Sequence, residues 1–323
     1  MRFAIISDIH GNFPALNAVL ADAEENGAES YIFVGDYCLS NPYPDECITR
    51  IRELDSKYVI RGNEERYLEN LVGKDQSTWT DGQMQISYWN YQNISPDNLE
   101  YILSLPTKLS VSVGDVTLRI AHSSEEFIED AEGRLFGPAK VAKRYQDSFI
   151  TAETFREDIR KCLNADVPFL NAWAALADGV YIFGHTHLQW SYQSKDGRKV
   201  LLNPGSCGLP LDCVEGGMPY TLLDISDKET VTVEERRVPF DMKNYLESFK
   251  ASDQFAKANV WSKVIMKELQ AAREHLTFFL QDVERYADEI GDKQRPFSVL
   301  TWEQGFARWQ GRCKECDSME ELP

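Results

Sequence analysis

FAIISDIHGN, residues 3–12, passes from four apolar residues into Ser7, Asp8, Ile9 and His10, with Gly11 directly behind. Phe3 to Ile6 reads as a buried strand. Alternate residues of a strand point to one side, so Asp8 and His10 emerge side by side at its carboxyl end. Open α/β sheets place their ligands at that end. The following stretch, 14–26, carries Leu16, Val19, Leu20 and Ala23 at helical spacing.

The same arrangement recurs along the chain. SYIFVGDYC (30–38) ends a strand in Gly35-Asp36, and KYVIRGNEE (57–65) ends another in Gly62-Asn63. LRIAHSS (118–124) delivers His122, and YIFGHTH (181–187) delivers His185 and His187. The chain has five histidines, and four of them stand in these positions. Taken alone, an aspartate at a strand end caps a helix or forms a turn, and a lone histidine is usually structural. Five strand ends that all carry carboxylate, imidazole or amide groups point instead to metal ligation.

Further strand-like runs at 109–113, 116–121, 199–202, 220–225 and 230–236, with turn signals SVGDV and SKDGRK, follow the βαβαβ start. An α/β fold with a mixed sheet or two stacked sheets is expected. Helical inserts at 82–104 and 152–177 interrupt the strand series and are expected to lean over the strand ends. After Pro239 the pattern is helical only. Ile265, Leu269, Ala272, Leu276, Phe279, Val283, Tyr286 and Ile290 form a heptad-like stripe closed by Gly291, to be covered by the chain itself or by a second copy. A short helix at 302–310, with Thr301 and Gln304 spaced as a capping box, precedes an acidic tail.

Bulk composition narrows the function classes. The 323 residues carry a formal net charge of −18, which opposes a dedicated nucleic-acid binder. No apolar run approaches the ~18–20 residues of a membrane span. The start of the chain has no room for a cleavable leader, and seven scattered cysteines make a poor disulfide framework, so a cytoplasmic setting is expected. Cys207 reads as a buried thiol, the lone Cys313/Cys316 pair is weak as a zinc or redox site, and Lys140, Lys143 and Arg144 read as a solvated helix face.

In their order and spacing, DIHGN, GDY, RGNEE, AHSS and GHTH resemble the signature blocks of the calcineurin-like metallophosphoesterases. GHTH followed by NPGSCGLP is similar to the small bacterial and archaeal phosphodiesterase branch of that superfamily. The likeness spans roughly residues 1–237. It implies two stacked mixed β-sheets flanked by helices over 1–238, with a C-terminal helical extension over 239–323. It also implies two adjacent divalent ions, Mn²⁺, Fe or Zn²⁺ with Mn²⁺ favoured. Asp8, His10 and His187 would hold the first, Asn63, His122 and His185 the second, and Asp36 would bridge them. The implied activity is hydrolysis of a small phosphodiester or nucleotide-like ester by a hydroxide held at the ions, with Asn63, His122 and position 64 in catalytic places. Hydrolysis of diadenosine polyphosphates or phosphoproteins, and a non-catalytic scaffold, are the alternatives.

Two departures stand out. Glu64 occupies the place where the family has a histidine that helps the leaving group depart, and Ser123 stands where glycine is common. Beside phosphate an ionised Glu64 must be turned away, paired with Arg61 or Arg66, or protonated. Asn12, Arg61 and Ser123 are candidate substrate contacts, with turn formation the alternative for Asn12 and a plain surface serine for Ser123.

Overall fold

β1 (Arg2–Ile6) is buried on both faces because it lies at the centre of a sheet, which is why its sequence is continuously apolar. The computed structural model describes residues 1–146, 148–226 and 230–312. α1 (Phe13–Glu25) follows, its first turn satisfied by Asn12 Oδ1 accepting from Ala15 N–H at 3.2 Å. The chain continues through β2 (Ser30–Phe33), α2 (Pro44–Glu53), β3 (Lys57–Val59), α3 (Glu65–Glu69), α4 (Gln85–Asn93) and α5 (Pro96–Ser104). Next come β4 (Lys108–Val113), β5 (Val116–Ala121), α6 (Ala131–Phe136), α7 (Pro138–Tyr145), α8 (Ala152–Ala165) and α9 (Val167–Ala175). β6 (Gly179–Ile182), β7 (Gln189–Gln193), β8 (Lys199–Pro204), β9 (Met218–Ile225) and β10 (Val231–Val238) complete the strands.

Two mixed five-stranded sheets result, in the orders β10-β9-β1-β2-β3 and β4-β5-β6-β8-β7. β1, β2 and β3 run parallel, as do β5, β6 and β8, with antiparallel neighbours outside them. Strand alternation divides the apolar side chains between layers. Phe3, Ile5 and Ile32 meet Leu118, Val180 and Leu202 between the sheets, while Ala4, Ile6 and Phe33 face α1 and α2 through Leu16, Val19 and Ile48. Tyr181 and Leu201 face α8 and α9 through Phe155, Ile159 and Phe169. Each side chain of this size contributes ~1.5–3 kcal/mol on full burial, so the layers hold firmly enough to fix the strand ends.

The two inserts are helical where expected, as α4 with α5 and α8 with α9, and each packs on the outer layer of a sheet. Ile86, Ile94 and Ile102 of the first join the layer outside the β1 sheet, and the second is α8 and α9, packed on the outer face of the other sheet. Their apolar side chains are claimed by the sheets, while the first also touches the strand-end loops, Asn90 Oδ1 accepting from Leu39 N–H at 3.0 Å and Arg61 reaching Leu103 O.

After β10 come α10 (Met242–Lys250), α11 (Asp253–Lys257), α12 (Asn259–Ala271), α13 (Leu276–Ile290) and α14 (Val299–Arg312). The heptad-like stripe is therefore two helices. The chain breaks at Ala272, which takes a left-handed φ of 47°, because Cys213 N–H donates to Ala272 O (2.7 Å) and Arg273 pairs as an isolated bridge with Asp212. Ile265 and Leu269 then pack with Leu209, Leu211 and Phe249, and Phe279 and Val283 with Trp302 and Phe306, so these stripe residues are covered within the chain. α14 begins earlier than expected, capped by Ser298 Oγ accepting from Thr301 N–H rather than by Thr301 itself. Among the described residues no helix is long and apolar enough to cross a membrane. Cys313 and Cys316 lie outside the described residues.

Candidate metal centre

The carboxyl ends of β1, β2, β3, β5 and β6 meet, and their loops are stitched together by backbone hydrogen bonds. Asp8 and His10 donate to Gly35 O and Asp36 O, and Gly184 N–H donates to His122 O. At these ends Asp8, His10, Asp36, His185 and His187 adopt left-handed φ values of 53°, 52°, 56°, 73° and 62°. The sharp turns aim their side chains at one point. Close approach is unavoidable there: a Cβ on Gly62 would lie 2.1 Å from Asp36 Oδ1, and one on Gly184 would lie 2.0 Å from Ser7 Oγ.

Donor atoms gather in two groups, Asp8–His10–His187 and Asp36–His122–His185. In the first, His10 Nε2 lies 2.9 Å from His187 Nε2, which lies 3.5 Å from Asp8 Oδ1. In the second, Asn63 Oδ1 is 2.7 Å from His185 Nδ1 and 2.9 Å from His122 Nε2, itself 3.1 Å from Asp36 Oδ2. Ligands about 2.1 Å from one ion are separated by about 3.0–3.4 Å, so these spacings fit shared coordination. Asp36 also groups with His10 and Glu64, which places its carboxylate between the two sets.

Second partners fix which ring nitrogen faces inward. His122 Nδ1–H donates to Val34 O at 2.6 Å and His187 Nδ1–H to Leu209 O at 2.7 Å, leaving each Nε2 for the cluster. His10 Nδ1 is 2.8 Å from Glu64 Oε2. Glu64 is thus paired with neither Arg61 nor Arg66 but with an imidazole of the cluster, from which its own backbone N–H reaches Asp36 Oδ1 (2.9 Å).

The electrostatics favour a cation. Burial opposes charge on His10, yet Glu64, Asp36 and Asp8 raise its pKa to about 9; His122, equally buried, is drawn up to about 10 by Asp36 and Asp8. His187 is pushed down to about 4 and His185 also falls, chiefly through burial. Despite burial, His122 and His10 hold Asp36 well below the usual carboxylate range, while burial raises Glu64 to about 7. Carboxylates that draw protons onto buried imidazoles are carboxylates for which a divalent ion is a better partner.

Each of the three candidate substrate contacts makes a hydrogen bond or ion pair within the chain. Asn12 is fully buried, its Oδ1 capping α1 and its Nδ2 donating to Gly208 O at 3.0 Å. Arg61 pairs with Glu69 at 3.2 Å and reaches Leu103 O, and Ser123 Oγ accepts from Glu125 N–H at 3.3 Å.

Sequence reading missed the glutamates behind the cluster. Buried Glu65 accepts from Gly62 N–H (2.7 Å), Tyr37 N–H (2.8 Å) and Asp36 N–H (3.3 Å), tying the β2 and β3 ends together. Glu132 Oε1 accepts from Thr186 Oγ1 (2.6 Å), Trp190 Nε1 (2.8 Å) and Asn203 Nδ2 (3.1 Å), bracing the residue between His185 and His187; burial raises its pKa to about 7. Glutamates have no motif of their own, and only the position of Glu65 inside RGNEE hinted at a role.

A cavity of about 180 Å³ opens over the cluster. Its walls include His10, Asp36, Asn63, Glu64, His185 and His187, and also Pro138 of α7. Ile265, Glu268, Glu274 and Leu276, from α12, α13 and the corner between them, complete one side. No residue of the insert 82–104 or 152–177 lines it, so the covering role expected of them belongs to the C-terminal helices.

Comparisons with known proteins agree with this architecture. The family model described as calcineurin-like phosphoesterase matches residues 1–189. An uncharacterized protein of Methanocaldococcus jannaschii is 27% identical over 245 residues, 76% of this chain and 90% of that one. Among solved structures, a metallophosphoesterase from Sphaerobacter thermophilus superposes with a TM-score of 0.57 at 20% identity, covering 84% of this chain and 99% of its own. A hypothetical protein from Pyrococcus horikoshii OT3 gives 0.53 at 18% identity, with coverages of 82% and 97%. At such identities the likeness is one of fold.

Proposed function

The chain belongs to the calcineurin-like phosphoesterase family, and from that premise we propose that it is a two-metal hydrolase of small phosphodiesters. The observation that carries this reading is the pair of donor groups with Asp36 between them, each spaced as one coordination shell. Asp8, His10 and His187 would hold one ion, Asn63, His122 and His185 the other, with Asp36 shared. Imidazole, carboxylate and amide donors suit Mn²⁺, Fe or Zn²⁺ better than Mg²⁺, and Mn²⁺ is the favoured ion. When bound, two such ions supply Lewis acidity that lowers the pKa of water and offsets charge on phosphoryl oxygens.

The protein's own part is positional. Val34 O and Leu209 O fix the tautomers of His122 and His187, and Glu64 orients His10. Because Glu64 is committed to His10, it replaces the usual histidine without supplying an imidazolium to the leaving group. Esters whose leaving groups depart unprotonated are the better substrates on this reading. The completeness of the donor set counts against a non-catalytic scaffold, which makes no demand on these side chains.

The test is hydrolysis of bis-p-nitrophenyl phosphate beside p-nitrophenyl phosphate by metal-stripped protein, with and without Mn²⁺, alongside elemental analysis of untreated protein. Metal-dependent cleavage favouring the diester is expected. Protein that neither contains nor takes up metal overturns the reading.

A further inference from the structure

The wall that α12 and α13 present to the cavity lies outside the family-matched segment and has a chemistry of its own. Glu268 and Glu274 are both buried, and each is held in place by backbone donors. One oxygen of Glu268 accepts from His275 N–H (2.8 Å) and Leu276 N–H (2.7 Å), and one of Glu274 from Thr277 N–H (2.6 Å). The two carboxyl groups also hydrogen-bond each other. Glu64 faces the same space from the cluster side. Independently, no lysine or arginine lines the cavity among the described residues. Sites that take polyphosphates surround them with guanidinium or ammonium groups, whereas here, among the described lining residues, only the histidines and the ions they would hold offer positive charge to a phosphate.

Resting on the phosphodiesterase reading above, we infer that this wall selects the ester group that is not anionic: the substrate carries one phosphate at the metals and a small cationic or hydrogen-bond-donating group against Glu268 and Glu274. An ammonium or hydroxyl group meets fixed acceptors there. A second anionic group would meet acceptor oxygens on that wall and no lysine or arginine among the described lining residues to offset its charge. Nucleoside polyphosphates would find no lysine or arginine for their further phosphates among the described lining residues.

The test compares p-nitrophenyl diesters of similar size, with choline, ethyl and glycolate as the second group, on the Mn²⁺-loaded full-length protein. In parallel, calorimetry measures binding of phosphocholine and phosphoglycolate, which needs no turnover. The expected order in kcat/KM is choline, then ethyl, then glycolate, with about tenfold or more between the extremes, and phosphocholine binds the more tightly. E274Q narrows the choline-to-glycolate ratio several-fold, with the ethyl ester as internal reference; should that variant fail to fold, the wild-type order still decides. Equal or reversed preference in both measurements overturns the wall. Absence of turnover with metal bound overturns the phosphodiesterase reading instead, and the calorimetric order then judges the wall alone.

Discussion

The candidate metal cluster and the helical corner above it reach the same cavity by opposite routes. Cluster residues project from strand ends whose backbones are bonded to one another across two sheets, so each side chain is placed by its immediate neighbours. The corner is placed by a long-range event, the capture of Ala272 and Arg273 by the loop at Asp212 and Cys213. On the proposed reading reaction chemistry is placed locally and selectivity remotely, and substitutions in the two regions should fail in different ways.

Asp36→Asn is expected to do the most damage, because it weakens both donor groups at once. Diester hydrolysis should fall by more than the ~10–100-fold that loss of an outer partner costs, with the fold intact by circular dichroism. Full activity in this variant would break the two-metal reading. Protonation should act on the same atoms. His10 and His122 are raised to about 9 and about 10, so each holds a proton at neutral pH that an ion must displace. Apparent Mn²⁺ affinity should therefore rise with pH, by about tenfold per unit for each proton released, in chelator competition between about pH 6 and 8. A flat profile would show that these imidazoles are not ligands.

Glu64→Gln removes the carboxylate behind His10 and should weaken metal binding about 10–100-fold while leaving thermal stability nearly unchanged. Glu132→Leu should show the converse emphasis. Three buried donors lose their acceptor, lowering stability by about 1–3 kcal/mol in urea unfolding, with a smaller drop in metal affinity through the His185–His187 turn. An E132L protein as stable as the wild type would make Glu132 a bystander. Arg61→Ala should do least, within about twofold in kcat/KM, since its guanidinium pairs with Glu69 away from the cavity.

The contrast between local and remote also explains what the sequence disclosed. Strands such as Phe3–Ile6 and the groups at their ends could be read because apolar runs and ligand-type residues lie within a few positions of each other. β7, QWSYQ, escaped because it follows GHTH without a turn signal and alternates polar residues with aromatic ones. α6 and α7 escaped because Gly133, Gly137 and Pro138 punctuate AEGRLFGPAK as a loop would. The break at Ala272 left no local trace at all. The step from Ala272 to Leu276 keeps helical spacing, and only the partner at Cys213, 59 residues earlier in the chain (272 − 213), ends the helix. Glu268 and Glu274 became wall residues by the same event, so nothing in their neighbourhood announced them.

Five residues of the cluster sit in left-handed backbone conformations, a state that disfavours a side chain by roughly 1–2 kcal/mol, less for aspartate, and that glycine tolerates freely. Backbone conformation by itself would rather have glycine at positions 8, 10, 36, 185 and 187. Glycine there would relieve the backbone but strip out hydrogen bonds such as those from Glu64 N–H to Asp36 and from His187 to Leu209 O, so the side chains offset part of the strain they impose. Five strained positions that carry aspartate and histidine rather than glycine make the tolerance of each to substitution a readout of what its side chain contributes beyond the backbone.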